Sequence, residues 1–131
     1  MTTPQQVALA DATKALAMFQ KSGIEVPVLG VVENMAYFTP PALPEQKHYL
    51  FGKEGGKDWA AQHRVPLLGQ VPLIQHIREG GDAGVPAALQ EDNPLFKQIA
   101  ATLAQQVAIR NANLAPTQPV QRKASIHAIK A

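Results

Sequence analysis

The sequence predicts an α/β fold, the carboxy-terminal half of a parallel sheet flanked by helices. Three observations predict it. Two apolar runs share one form, Val26-Pro27-Val28-Leu29-Gly30-Val31-Val32 and Val65-Pro66-Leu67-Leu68-Gly69-Gln70-Val71; a helical segment near Asp58 to Gln62 lies between them; and amphipathic helical patterns precede the first run and follow the second. Apolar runs without polar alternation are what parallel strands covered on both faces require, and two such strands joined through a helix make a βαβ unit.

The first helix is expected almost at Met1, with Thr3 as cap, Pro4 in the first turn and Gln6 closing a capping box. Leu9, Ala12, Leu16 and Phe19 recur at helical spacing, Asp11, Lys14 and Lys21 share another face, and Gly23 supplies a stop. Between the strands, the prolines of Thr39-Pro40-Pro41-Ala42-Leu43-Pro44 exclude a helix and predict an extended surface loop, followed by a short strand at Tyr49-Leu50-Phe51. From Gly80 to Pro86 a further loop is expected. Asn93-Pro94 opens a last helix carrying Phe96, Ile99, Ala100, Leu103 and Val107. Beyond about Asn113 the sequence is polar and without periodicity, so residues 1–112 read as a partial α/β domain and 113–131 as a mobile basic tail. A chain that opens on a helix has no strand leading into it, and two parallel strands alone leave both sheet edges open, so the first half of the sheet is expected to be missing.

Composition narrows the function classes. With 46% hydrophobic and 17% charged residues, the chain is an ordinary globular protein. Its net charge of +2 hides an asymmetry: residues 1–109 hold eight Lys or Arg against ten Asp or Glu, and no acid lies beyond Asp92. The folded part thus offers no basic face for DNA or RNA. Absence of cysteine excludes disulfides and thiolate metal sites, and no run approaches a membrane span, so a cytoplasmic protein without a membrane partner is expected.

In open α/β sheets ligands bind beyond the carboxyl ends of the strands, which directs attention to Glu33-Asn34-Met35 and Pro72-Leu73-Ile74. A flat base stacks well on Pro72, while the amide of Asn34 carries the donor and acceptor that adenine's edge requires. The plainer alternative is that Asn34 caps a turn and Pro72 ends a strand. Gly52-Lys53-Glu54-Gly55-Gly56-Lys57-Asp58 is not a phosphate loop: the Walker pattern needs glycine where Phe51 stands and Ser or Thr where Asp58 stands. His48, His63, His76 and His127 have no metal-like spacing, and Ser22 and Ser125 lie in no nucleophile elbow. Glu79 and Asp82 flank Gly80-Gly81 and could orient a ligand, a solvated turn being the commoner explanation. No self-sufficient catalytic site is visible.

The blocks Thr2-Thr3-Pro4-Gln5-Gln6-Val7-Ala8-Leu9-Ala10-Asp11, Val28-Leu29-Gly30-Val31-Val32-Glu33-Asn34-Met35-Ala36-Tyr37-Phe38, and Phe51-Gly52 with Gly55-Gly56 resemble the Mrp (ApbC) iron–sulfur carrier ATPases. So do Val65 to Leu73 and Ile77-Arg78-Glu79-Gly80-Gly81-Asp82-Ala83-Gly84-Val85-Pro86, in the family's order as far as about residue 110. The resemblance implies a P-loop NTPase fold related to MinD and ParA. It also implies a homodimer that binds ATP with magnesium and passes iron–sulfur clusters to client apoproteins. It carries the adenine pocket onto Asn34, Pro72 and Leu73. Three departures stand against it. The glycine-rich loop with its signature lysine and the Walker-B aspartate are expected upstream of Thr2; Thr39 to Pro44 replaces a Cys-x-x-Cys pair; and Ile74 replaces an aspartate. The chain is therefore expected to supply the adenine side of a nucleotide site without hydrolysing ATP alone, the alternative being an interaction or dimerisation module that binds no nucleotide.

Overall fold

The computed structural model describes residues 1–23, 25–89 and 94–115. Its elements are α1 (Gln6–Phe19), β1 (Val31–Asn34), α2 (Gly55–His63), β2 (Leu67–Val71), α3 (Gln75–Asp82), a 3-10 turn at Ala87–Leu89 and α4 (Pro94–Asn113). The strands β1 and β2 pair in parallel, with Val32 opposite Gly69, Glu33 opposite Gln70 and Asn34 opposite Val71. This is the βαβ unit that the repeated apolar runs predict.

Both strands start later than those runs. Proline donates no backbone hydrogen bond, and here the carbonyl of Pro66 instead accepts the amide of Val31 at 2.8 Å, opening the ladder one residue before β2. On one face of the sheet, Leu9 and Leu16 of α1 and Trp59 and Ala60 of α2 bury Val31 and Val65. The indole N–H of Trp59 donates to the Thr13 hydroxyl at 2.9 Å, tying α2 to α1. Of the four apolar positions predicted for α1, Leu9 and Leu16 are buried and Ala12 packs against the core.

The other face carries α4. Ile99 lies so close to Gly69 that a Cβ there would sit 2.6 Å from its Cγ1. Gly69→Ala is expected to lift α4 from β2 and cost roughly 1–3 kcal/mol, the usual range for overpacking, read by chemical denaturation. None of the residues of α4 is fully buried, so its predicted apolar face is only partly covered.

Several expectations are corrected. The capping box does not form: α1 starts at Gln6 behind Gln5, which makes no side-chain cap, and the Thr3 hydroxyl bonds the Gln5 side chain instead. The amino terminus does not simply open on a helix. Thr2 forms a parallel bridge to Glu33, with its amide donating to Val32 O at 3.0 Å and its carbonyl accepting from Asn34 N at 2.8 Å. Tyr49 to Phe51 is not a strand; His48 alone bridges Phe38 through two reciprocal 2.8 Å bonds. Glu79 and Asp82, expected in a loop, lie in the last turn of α3, where Asp82 pairs with Arg78 at 2.7 Å. Asn93, His127 and the basic residues Arg122, Lys123 and Lys130 of the proposed tail lie outside the described residues.

Candidate functional site

The three predicted site residues converge at the carboxyl edge of the sheet. Because Asn34 is opposite Val71, Pro72 follows in the next position on the neighbouring strand. The amide of Ala36 donates to Val71 O at 3.0 Å, and that of Leu73 donates to Tyr37 O at 2.7 Å, so the segments leaving the two strands stay zipped together. Beside them lies a cleft of about 460 Å³ whose walls include Tyr37, Phe38, Pro72, Leu73, Ile74 and His76. A volume of that order suits a small ligand.

Asn34 stands at the end of β1 but does not line this cleft. Its Oδ1 accepts the amide of Met35 at 2.9 Å, and Met35 sits at φ 53°, in the left-handed region. This contact is the turn cap that the plainer reading anticipates. It uses one lone pair of Oδ1 and leaves the second lone pair and both amide hydrogens. Leu73 is 39% exposed, so an apolar surface is presented where Pro72 ends the strand.

The glycine-rich turn before α2 is closed to phosphate. The amide of Gly56 donates at 2.7 Å to Oε1 of Glu33, whose side chain is 0% exposed, and Gln70 Nε2 donates to the other carboxylate oxygen. Lys57 is 3.0 Å from Glu54. That hydrogen bond, followed by the attraction of opposite charges, holds the Glu54 carboxyl below its ordinary range and the Lys57 ammonium above its own. The Gly56 amide and the Lys57 ammonium are thus already engaged by carboxylates.

Sequence reasoning pointed to Glu33 by its position at the end of β1 but gave its side chain no role. A glutamate at the end of an apolar strand was a visible signal, but its partners are Gly56 and Gln70, 23 and 37 residues away. The loop opposite, closed by the Phe38–His48 bonds, presents Thr39 to Lys47 and no thiol. Among the described residues no group of three or more His, Cys, Asp or Glu is placed to hold a metal, and no helix is long and apolar enough to cross a membrane.

A parallel sheet with helices on both faces and a cleft beyond its carboxyl edge defines an α/β protein of the class that binds ligands at strand ends. Residues 1–108 match the ParA family as represented by the NUBPL iron-transfer P-loop NTPases, and the chain belongs to that family. It is 46% identical over 108 residues to an iron-sulfur cluster carrier protein of Synechocystis, covering 82% of this chain and 30% of the relative. An Arabidopsis thaliana iron-sulfur protein required for NADH dehydrogenase, mitochondrial, is 38% identical over 128 residues, 96% of this chain and 40% of the relative. The iron-sulfur cluster transfer protein NUBPL of Dictyostelium discoideum is 43% identical over 115 residues, 85% of this chain and 35% of its own length. The chain thus spans 30–40% of these relatives.

Proposed function

We propose that this chain forms the adenine side of the ATP site in an iron–sulfur cluster carrier. The supporting observation is the register that sets Asn34 beside the Val71-Pro72-Leu73 step at the sheet's carboxyl edge. In this reading the base lies on Pro72 and Leu73, and the Asn34 amide pairs with its N6 and N7 edge through the groups that Met35 leaves unused. Bound ATP and magnesium would supply phosphoryl-transfer chemistry. We assign no residue here to the phosphates or the metal, because Glu33 and Glu54 occupy the glycine turn. Homodimer formation, with clusters passed to client apoproteins, belongs to the same proposal; the carrier and transfer roles that the relatives' names state support the cluster part of it.

One observation favours an interaction module without nucleotide binding: Asn34 Oδ1 already serves its own turn. Titration of the isolated chain with adenosine and with guanosine, followed by amide NMR, separates the two. Stacking plus one amide pair without phosphate contacts should give an affinity on the order of millimolar. Shifts confined to Asn34, Leu73 and their neighbours are expected with adenosine, at least about threefold weaker in Asn34→Ala, in keeping with ~1 kcal/mol for a hydrogen-bonded contact. Equal response to both nucleosides, or shifts elsewhere, would remove the adenine assignment.

A further inference from the structure

Positive charge gathers at one place in a folded part that is otherwise net negative. Of the eight Lys or Arg in residues 1–109, Lys47, Lys53 and Lys57 fall within residues 47–57, where Glu54 is the only acid. Lys57 pairs with Glu54 at 3.0 Å and, by that bond and its charge, holds the carboxyl below its ordinary range. Lys53 and then Lys47 add to the pull, so three ammonium groups act on one carboxylate. Among the described residues Lys47 and Lys53 form no ion pair of their own. Instead the Lys47 ammonium lies 4.3 Å from the centroid of the Tyr37 ring and that of Lys53 lies 5.5 Å from the centroid of Tyr49. The two rings meet edge to face with centroids 6.4 Å apart. Surface lysines make weak ion pairs partly because a long side chain must be ordered to form them. Here two of them already rest on one aromatic base and keep N–H donors for an anion.

Lys53 also stands on the wall of a second cleft, of about 530 Å³, between α1 and α2. Its apolar walls include Pro4, Leu9, Phe51 and Trp59, and Asp58 is the only carboxylate on them. Leu50, next in sequence to Phe51, is 61% exposed. Ammonium groups and an apolar cleft are thus offered side by side. We propose that Lys47, Lys53 and this cleft form a docking site for an acidic segment of a partner protein: neighbouring carboxylates meet the two ammonium groups, and an apolar side chain that follows them enters the cleft. Charge complementarity and the apolar lining select this occupant together. A free phosphate would use the ammonium groups and leave Leu9, Phe51 and Leu50 without a partner. A nucleic acid needs a longer basic track and open ring faces, whereas here the lysines lie over the rings. The chain's own residues beyond Asp92 contain no acid, so they do not supply the segment. Docking here involves no nucleotide and stands or falls separately from the adenine assignment.

The test is a titration of the 131-residue chain, free of nucleotide, with the capped peptide Glu-Glu-Leu-Phe, followed by amide NMR. Two charge contacts and one buried side chain should give a dissociation constant on the order of 0.1–1 mM. Shifts are expected at Lys47, Lys53 and the Trp59 indole. The peptide Gln-Gln-Leu-Phe keeps the shape without the charge and should bind at least about fivefold more weakly, as should the acidic peptide when salt is raised to about 0.5 M. Lys47→Gln combined with Lys53→Gln should reproduce that loss without changing urea unfolding, because both side chains are exposed. Lys47→Arg combined with Lys53→Arg should keep the affinity within about twofold, since a guanidinium also rests on aromatic rings. Equal binding of the two peptides, no loss in the Gln double variant, or no shift at these residues with about 5 mM peptide would overturn the proposal. So would tripolyphosphate or a uridine oligonucleotide that binds the same residues more tightly than the acidic peptide, which would assign the ammonium groups to phosphate.

Discussion

Anaerobic reconstitution of this chain with iron and sulfide is expected to leave no cluster after desalting. Clusters are held by soft thiolate ligands, usually four, and the sequence contains 0 cysteines. Among the described residues no three of His, Cys, Asp or Glu are grouped to substitute for them. The loop between Phe38 and His48 nevertheless has a backbone that suits a thiolate pair. The amide of Leu43 donates to Pro40 O at 2.9 Å, so residues 40 and 43 are the ends of a tight turn, with Cα atoms under about 7 Å apart. Leu43 is 49% exposed, so a side chain there reaches solvent. The double substitution Pro40→Cys, Leu43→Cys is therefore expected to create a Cys-x-x-Cys pair, and two chains together would supply four thiolates. Visible absorption that survives desalting in the double variant and is absent from the parent is the expected result. A stoichiometric cluster in the parent would sink the ligand argument. A double variant that folds and dimerises but stays colourless would sink the assignment of the loop.

The strands and the crossover helix were legible because each depends on near neighbours in sequence. Val31 and Leu67 lie in apolar runs that only a covered parallel sheet accommodates, and Gly23, with φ 86°, comes after α1 as its pattern requires. The misses have long-range or compensating causes. The pair Gly80-Gly81 argues for a loop, yet α3 continues through it, supported by the Arg78–Asp82 pair and by the Val85 amide, which donates to Gly80 O at 2.7 Å. A Cβ on Gly80 would lie 2.6 Å from Val85 O, so the residue that weakens the helix is also the one that lets the following chain turn back over it. The Thr2 bridge was illegible because one bonded residue has no periodicity. The placement of Asn34 and Pro72 at the sheet's carboxyl edge was legible because each sits at the end of an apolar run, whereas the tie between the Gly55-Gly56 turn and β1 depends on where the Glu33 side chain points.

Glu33→Ala is expected to be the most destabilising single substitution at the site. The carboxylate joins three elements: it extends from β1, accepts the Gly56 amide in the first turn of α2, and accepts the side-chain amide of Gln70 on β2. Burial of a carboxylate is tolerated when its lone pairs are engaged and a helix amino terminus lies beside it, and both conditions hold here. Truncation leaves the Gly56 N–H and the Gln70 amide without acceptors and opens a void where Glu33 Cγ now comes within 2.9 Å of a Cβ position on Gly56. Unsatisfied buried polar groups cost roughly 1–3 kcal/mol each, so a loss of about 3–5 kcal/mol is expected, enough to unfold a domain of marginal stability. Glu33→Gln keeps the shape and an acceptor for Gly56, and Gln70 can turn its own carbonyl towards the new amide, so its cost should be at most about half as large. Trp59 is the single tryptophan and is buried beside α1, which makes its fluorescence a direct monitor of urea unfolding for both variants. Gly56→Ala should fall between them, because its Cβ meets the Glu33 side chain rather than removing it. If Ala and Gln at position 33 prove equally mild, the carboxylate does not hold α2 to the sheet, and the closure of the glycine turn must have another cause.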